Sequence, residues 1–335
     1  MSNNNTDAGA KKSKVVVLNC ARINFDNQLD FSKLSAVAEV TQYDDSSPSP
    51  EEIIRRVSGQ DVVITKELAL PTELVASFPP SVSIICEAGT GYNNIDIATA
   101  RVKGIAVCNV PAYSSDAVAH LVITFVLSFS CSLVAQQRML ASGRRDNFTK
   151  HLQHPHFELG GKTLGLIGGS GNIGSKVASI ALALGLRVIV SSRKQPSEAD
   201  MQPGVQVTTS VEELLQCSDF VSIHCPLNEA TKNLIDAAAL RKMKPTAFII
   251  NTARGPIINE ADLIVALNEG VIAGAGLDVQ TVEPPPSESP LYSMESVVLT
   301  PHIGWKRLET RQRLIDAVAD NIDSFLKGIP VNVVN

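Results

Sequence analysis

Two parallel β-sheets, each covered by helices on both faces, are the architecture to which three features of this sequence point. Its 335 residues suffice for about two domains at roughly 100–200 residues each. From Val15 onward, short and continuously apolar β-branched runs alternate with helical stretches, the pattern of parallel strands buried on both faces. That alternation restarts after Gly160-Gly161, so the chain is read as two doubly wound α/β domains, the second with the longer sheet.

The first 14 residues, MSNNNTDAGAKKSK, contain no apolar stretch of the kind a signal peptide needs, and residues 1–13 are expected to form a frayed polar tail. Strands are predicted at VVVLN (Val15 to Asn19), DVVIT (Asp61 to Thr65), VSIIC (Val82 to Cys86) and GIAVCNV (Gly104 to Val110). The run from Ala117 to Ala135 approaches the length of a membrane span, with only His120 interrupting it. It stands alone, lacks a basic flank on its N-terminal side and follows Ser115-Asp116, good capping residues. A long buried helix is therefore the expectation, with no membrane partner. Between the two series lies His151 to Gly161. Its three histidines have loop-like spacing and no carboxylate or thiolate cluster beside them, so no metal site is assigned.

The second series reads TLGLIGG, RVIVSS, FVSIHC, AFIINT, IAGAGLDV and VVLTPH, with helices such as Val211 to Gln216 and Glu260 to Asn268 between. An amphipathic helix from Leu308 to Leu326 follows, stopped by Gly328 and Pro330. With 44% hydrophobic and 19% charged residues the chain is an ordered globular protein. Its net charge of −5 gives no basic field for nucleic acid or anionic lipid. The six cysteines lie mostly in or beside apolar runs without a C-x-x-C pair, so they read as reduced thiols of a cytoplasmic protein.

Directly after the strand TLGLI comes Gly169-Ser170-Gly171-Asn172-Ile173-Gly174, which opens into the helical run SKVASIALALG. A bare G-x-G-x-x-G says little, but a strand before it and a helix after it supply the context of a dinucleotide site. Glycines let the backbone approach a pyrophosphate, and the helix N-terminus offers unpaired N–H groups and a positive dipole. The next strand ends in Ser191-Ser192-Arg193-Lys194. A site for NADH presents an acid about 20 residues after the glycines to take the ribose 2′-hydroxyl. Two hydroxyls and two cations suit a 2′-phosphate instead, so NADPH is favoured over NADH.

Three further segments place a polar residue just beyond a buried strand: Asn251-Thr252-Ala253-Arg254-Gly255, Gly276-Leu277-Asp278-Val279 leading to Glu283, and Thr300-Pro301-His302-Ile303-Gly304-Trp305. Arg254, Glu283 and His302 match the needs of carbonyl reduction. A cation orients a carboxylate and polarises a keto group, an imidazolium delivers a proton, and an acid holds that imidazole.

At these residues, and at HCPLNEATKNLID (His224 to Asp236), the sequence resembles the D-isomer-specific 2-hydroxyacid dehydrogenases over nearly its whole length. GTGYNNIDI (Gly89 to Ile97), NVPAYSSDAVAH (Asn109 to His120) and Trp305 are most similar to the glycerate dehydrogenase and hydroxypyruvate or glyoxylate reductase branch. The resemblance implies a flavodoxin-like substrate domain built from residues 1–114 and 306–335. Into it a Rossmann-like dinucleotide-binding domain, 115–305, is inserted, with a cleft between them. It implies catalytic roles for Arg254, Glu283 and His302, and places the substrate at Gly89, Thr90, Gly91, Arg254 and Trp305. Cofactor contacts are implied at Cys225, Pro226, Thr231, Thr252, Ala253, Asp278, Ser115 and Gly304 as well as the glycine turn. A homodimer is implied too.

The chain departs from the family in two places. The loop Gly168 to Gly171 is one residue longer than usual after Gly165, which leaves open the glycine that underlies the pyrophosphate. His120 stands where the family more often has Glu or Gln. The activity expected is reduction of a small 2-keto acid, hydroxypyruvate or glyoxylate. Two alternatives remain: a reductase of sugar keto acids such as 2-ketogluconate, and a dinucleotide-sensing corepressor, which would show negligible turnover.

Overall fold

The computed structural model describes residues 12–149, 152, 154–192 and 202–335; Arg193, Lys194 and His151 lie outside them. The chain divides into two compact units, one running to Tyr113 and resuming over Lys306–Asn335, the other spanning Ser114–Trp305.

In the first unit β1 (Lys14–Val17), β2 (Glu39–Gln42), β3 (Val62–Thr65), β4 (Ile84–Glu87) and β5 (Ala106–Cys108) pair in parallel, in the order β2-β1-β3-β4-β5. This is the flavodoxin-like order, with its change of direction between β1 and β3. The helices α1 (Ser32–Val37), α2 (Pro50–Val57), α3 (Thr72–Ala76) and α4 (Ile97–Val102) make the crossovers.

The second unit opens with α5 (Ser115–Ser130), α6 (Leu133–Ala141) and α7 (Asp146–Thr149). Seven parallel strands follow: β6 (Thr163–Ile167), β7 (Arg187–Ser191), β8 (Val205–Thr208), β9 (Phe220–Ile223), β10 (Phe248–Asn251), β11 (Gly274–Leu277) and β12 (Val297–Leu299). Their order, β12-β11-β10-β9-β6-β7-β8, is Rossmann-like and reverses between β6 and β9. The crossovers include α8 (Asn172–Ala183), α9 (Val211–Cys217), α10 (Ala237–Leu240) and α11 (Glu260–Asn268). The last helix, α12 (Leu308–Leu326), returns to the first unit.

Alternation along the strands explains why the apolar runs were continuous. Leu164, Leu166, Val188, Val190, Phe220 and Ile250 enter one core layer of the second unit, whereas Ile167, Ile189, Val221, Ile223 and Ile249 enter another. Both faces are packed under buried apolar side chains, so most positions of each strand are apolar.

Two strands went unpredicted, β2 and β8, and both are edge strands. Their sequences, EVTQ and VQVT, are largely exposed or half-buried, so polar residues interrupt the apolar run that identified the others. The predicted long helix is broken as well. It begins at Ser115 and ends at Ser130, and α6 departs at 62°. Ser130 Oγ and Cys131 Sγ both donate to the Leu127 carbonyl, while Ser132 adopts a left-handed conformation at φ 49° and donates to the Pro155 carbonyl. Side chains of this kind compete with the helical ladder and end it. Twelve of the sixteen α5 residues are buried, and among the described residues no single helix is long and apolar enough to cross a membrane.

Candidate active site

Each glycine after β6 meets a different constraint. Gly168 has φ 75°, and a Cβ there would lie 2.8 Å from the Cys225 nitrogen. Gly169 packs on Leu166 and Val190. A Cβ on Gly174 would lie 2.4 Å from Gly169, so this glycine lets α8 sit against the strand end. Gly171 is unlike the rest, because a Cβ would meet nothing nearer than the Gly168 carbonyl at 3.9 Å. It stands at the N-cap of α8 with no side chain capping the helix. Open space beside Gly171 and the uncapped amides of Asn172 and Ile173 fit a pyrophosphate.

Around this turn, Ser191 is buried at the end of β7 and its carbonyl accepts from the Gly168 amide at 3.2 Å. The Ser192 amide donates to Thr208. Beyond β9, Cys225 and Pro226 lead into a loop tied by Thr231, whose Oγ1 donates to the Pro226 carbonyl at 2.7 Å and accepts from the Asn228 amide at 2.8 Å. Thr252 Oγ1, after β10, is closed from solvent with no partner among the described residues. A buried hydroxyl in that condition suits a ligand that supplies the missing hydrogen bond. Ser115 is buried at the first turn of α5. The His224 imidazole meets Ser222 Oγ at 3.0 Å, and desolvation pushes its pKa down to about 4.

The other strand ends carry a paired imidazole and carboxylate. His302 Nδ1 and Glu283 Oε2 lie 2.8 Å apart, an ion pair when the imidazole is protonated. Glu283 is fixed through its other oxygen, which accepts from the Gln280 amide at 3.1 Å. His302 sits at φ 50°, a conformation that costs a non-glycine residue and that the surroundings must impose. Asp278 imposes it. Fully buried after β11, it accepts from Thr300 Oγ1 at 2.6 Å and from the Ile303 and Gly304 amides at 2.8 and 2.9 Å, while its carbonyl takes the His302 amide. Gly304 is needed because a Cβ would lie 3.0 Å from that carboxylate. Asp278 thus shapes the turn that carries the histidine. Trp305, which closes this unit, is buried.

Arg254 follows β10 and donates to the Ala253 carbonyl at 2.8 Å. Asn251, which the sequence reading did not single out, fixes the backbone on both sides of it: Nδ2 donates to the Arg254 carbonyl and Oδ1 accepts from the Ala253 amide. Gly255 then passes so close to Gln280 that a Cβ would lie 2.0 Å from its carbonyl carbon. This contact brings the Arg254 loop beside the segment that leads to Glu283. Gly255→Ala is therefore expected to destabilise the protein by about 3 kcal/mol, read as a lower Tm, and to reduce activity in whatever remains folded. A wild-type Tm and wild-type turnover would refute the close approach. Gly89, Thr90 and Gly91 belong to the first unit, after β4.

A glycine turn at the open N-terminus of a helix and a histidine–glutamate pair beyond the strand ends of the same sheet are an arrangement suited to a dinucleotide-dependent oxidoreductase. Residues 123–304, more than half of the chain, match the family described as D-isomer specific 2-hydroxyacid dehydrogenase, NAD binding domain. A hydroxypyruvate reductase of Blautia hydrogenotrophica is 36% identical over 325 residues, 96% of this chain and 99% of the relative. An acyclic imino acid reductase, solved in complex with NADPH and D-Arg, superposes with a TM-score of 0.85 at 29% identity, covering 96% of this chain and all of the other. The NADPH-dependent glyoxylate/hydroxypyruvate reductase of Sinorhizobium meliloti, solved with NADP and malonate, gives 0.81 at 26% identity over 97% of each chain. The chain belongs to the D-isomer specific 2-hydroxyacid dehydrogenase family. It is an NAD(P)-dependent oxidoreductase.

Proposed function

We propose that the protein reduces a small 2-keto acid, hydroxypyruvate or glyoxylate, to the D-2-hydroxy acid with NADPH as preferred cofactor. The observation that carries this reading is the His302–Glu283 pair at 2.8 Å, set beyond the strand ends of the sheet that also carries Arg254. When bound, the cofactor supplies a hydride. The residues assigned to hold it are Gly169 to Gly174, Ser191 to Lys194, Cys225, Pro226, Thr231, Thr252, Ala253, Asp278, Ser115 and Gly304. Arg254 orients the substrate carboxylate and polarises the keto oxygen, since a guanidinium serves both through its fork of donors. The further residues assigned to the substrate are Gly89, Thr90 and Gly91, with the Thr90 and Gly91 amides assigned to its carboxylate, and Trp305. His302 gives its proton to the keto oxygen, and Glu283 holds the imidazole in orientation and stabilises its charged form. The names of the Blautia and Sinorhizobium proteins support this substrate class. A spectrophotometric matrix of NADPH and NADH against hydroxypyruvate, glyoxylate, pyruvate and 2-ketogluconate tests it. Fastest consumption of NADPH with one of the first two is expected, and no turnover with any of the four would overturn it.

Cofactor preference rests on the end of β7. Aspartate in place of Ser191 would put a carboxylate where the 2′-phosphate is assigned and offer an acceptor to a ribose hydroxyl. Ser191→Asp is expected to move the ratio of NADPH to NADH kcat/KM at least about tenfold towards NADH, the effect of losing roughly 1.4 kcal/mol. Arg193→Ala is expected to raise the KM for NADPH by a similar factor and leave NADH nearly unaffected. A wild-type preference for NADH would remove this segment from the choice of cofactor.

A further inference from the structure

A buried charge cluster lies behind the Gly89–Gly91 turn, and none of the roles assigned above uses it. Lys66 directly follows β3 and Glu87 ends β4; Lys66 is 3% and Glu87 0% exposed. They stand by the reversal between β1 and β3, the place where open α/β sheets hold ligands. Asn19, beyond β1, grips the Lys66 backbone from both sides, donating to its carbonyl at 2.8 Å and accepting from its amide at 3.0 Å. Lys66 Nζ meets Glu67 Oε1 at 2.8 Å and donates to the Tyr113 hydroxyl. Glu67 is shared with Arg22 at 3.0 Å. Glu87 accepts from the Glu67 amide at 3.0 Å and from Asn94 Nδ2 at 2.9 Å.

Such a cluster is an expensive way to fill a core, because apolar residues of similar volume often serve stability as well or better. Its location suggests what it does instead. A Cβ on Gly89 would lie 3.1 Å from Glu87 Oε1 and 3.2 Å from Lys66 Nζ, so both charged groups rest against the residue that opens the turn. From the other side, Val110 donates to the Gly89 carbonyl at 2.9 Å and Asn109 Nδ2 to the Thr90 carbonyl at 2.7 Å, while Thr90 Oγ1 donates to Val110. The turn's carbonyls are thereby engaged, whereas the Thr90 and Gly91 amides donate to no acceptor among the described residues. Unpaired amides in front of a buried cation make an anion receptor.

We propose that Lys66 is a positioning residue for a small carboxylate: its ammonium holds the Gly89–Gly91 turn and biases the turn's amides towards negative charge, and Glu87 sets the strength of that bias. The proposal rests on the assignment of the keto-acid carboxylate to this turn. Burial pushes the Glu87 pKa up to about 7, with Lys66 opposing, so the cluster becomes more negative as pH rises through that value. The other ionisable groups facing Lys66 are Glu67, Tyr113 and, through Glu67, Arg22.

The test is steady-state reduction of hydroxypyruvate at saturating NADPH, at about pH 6 and about pH 8, on variants whose Tm has been measured. Lys66→Met is expected to raise the KM for hydroxypyruvate at least about tenfold, with kcat within about twofold and the KM for NADPH unchanged; Lys66→Arg should recover most of the loss. Glu87→Gln, which also decides the matter if Lys66→Met does not fold, is expected to lower the KM at the higher pH and flatten its pH dependence. Unchanged KM values in folded Lys66→Met, or a Glu87→Gln profile that coincides with the wild type, would overturn the proposal. If the wild type reduces hydroxypyruvate while these variants are silent, the inference about Lys66 falls alone. If the wild type reduces no 2-keto acid, the functional reading falls and takes the inference with it.

Discussion

Replacing Arg254 with alanine is expected to lower kcat/KM for hydroxypyruvate by at least about two orders of magnitude, a loss of roughly 3 kcal/mol of transition-state stabilisation. The size follows from the two tasks assigned to one side chain. As the keto group is reduced, negative charge grows on its oxygen, and a guanidinium already in place stabilises that charge more than it stabilises the bound substrate. The same group aligns the carboxylate, so its removal also loosens orientation. Asn251 holds the backbone on both sides of Arg254, so the truncation should leave the loop in place and the Tm near that of the wild type. Lysine at this position should restore only part of the activity, because a point charge cannot reproduce the planar fork. Near-normal kcat/KM in a folded Arg254→Ala enzyme would remove the residue from the mechanism.

For His302→Ala a fall in kcat on the order of a thousandfold is expected, the contribution of a positioned general acid. Glu283→Gln should behave differently. An amide can keep a hydrogen bond to Nδ1, but it no longer stabilises the charge of the imidazolium across the 2.8 Å contact. Glutamine at 283 is therefore expected to lower kcat for reduction by about tenfold or more while the KM for NADPH stays near that of the wild type. An unchanged kcat in folded Glu283→Gln would reject the pairing.

The residue types of this site were legible because each follows an apolar strand, and parallel strands deliver their carboxyl ends to one edge of the sheet. Glu283 and His302 are 19 positions apart, yet β11 and β12 are neighbours, so adjacency followed from the strand order. What escaped the sequence was geometry made by backbone. Nothing in PHIGW announces that His302 is left-handed or that Asp278 organises the turn beneath it, because those facts depend on contacts across 22 to 26 positions. Lys66 and Glu87 escaped for a related reason. A lone charge after an apolar run reads as a strand end meeting water, and only the fold of the neighbouring loops buries it. The edge strands β2 and β8 were missed because half-exposed strands carry polar residues on one side.

The first unit is interrupted in sequence by the second, and this bears on the order in which the two can mature during synthesis. Residues Lys14–Cys108 supply all five of its strands, but Leu314, Ile315, Val318, Ala319 and Ile322 of α12 are completely buried. Arg311 is tied to the Ile23 carbonyl and Asp26, Asn321 donates to the Asn109 carbonyl, and Val333 bridges to Cys108. About 200 residues separate β5 from α12, and at about 5–20 residues per second the ribosome takes on the order of 10–40 s to deliver them. Throughout that interval the nascent first sheet lacks the helix that covers it, while the contiguous second unit can close as soon as Trp305 emerges. The half that begins the chain is the last to be finished, and until then its uncovered apolar face is a surface for chaperones to shield.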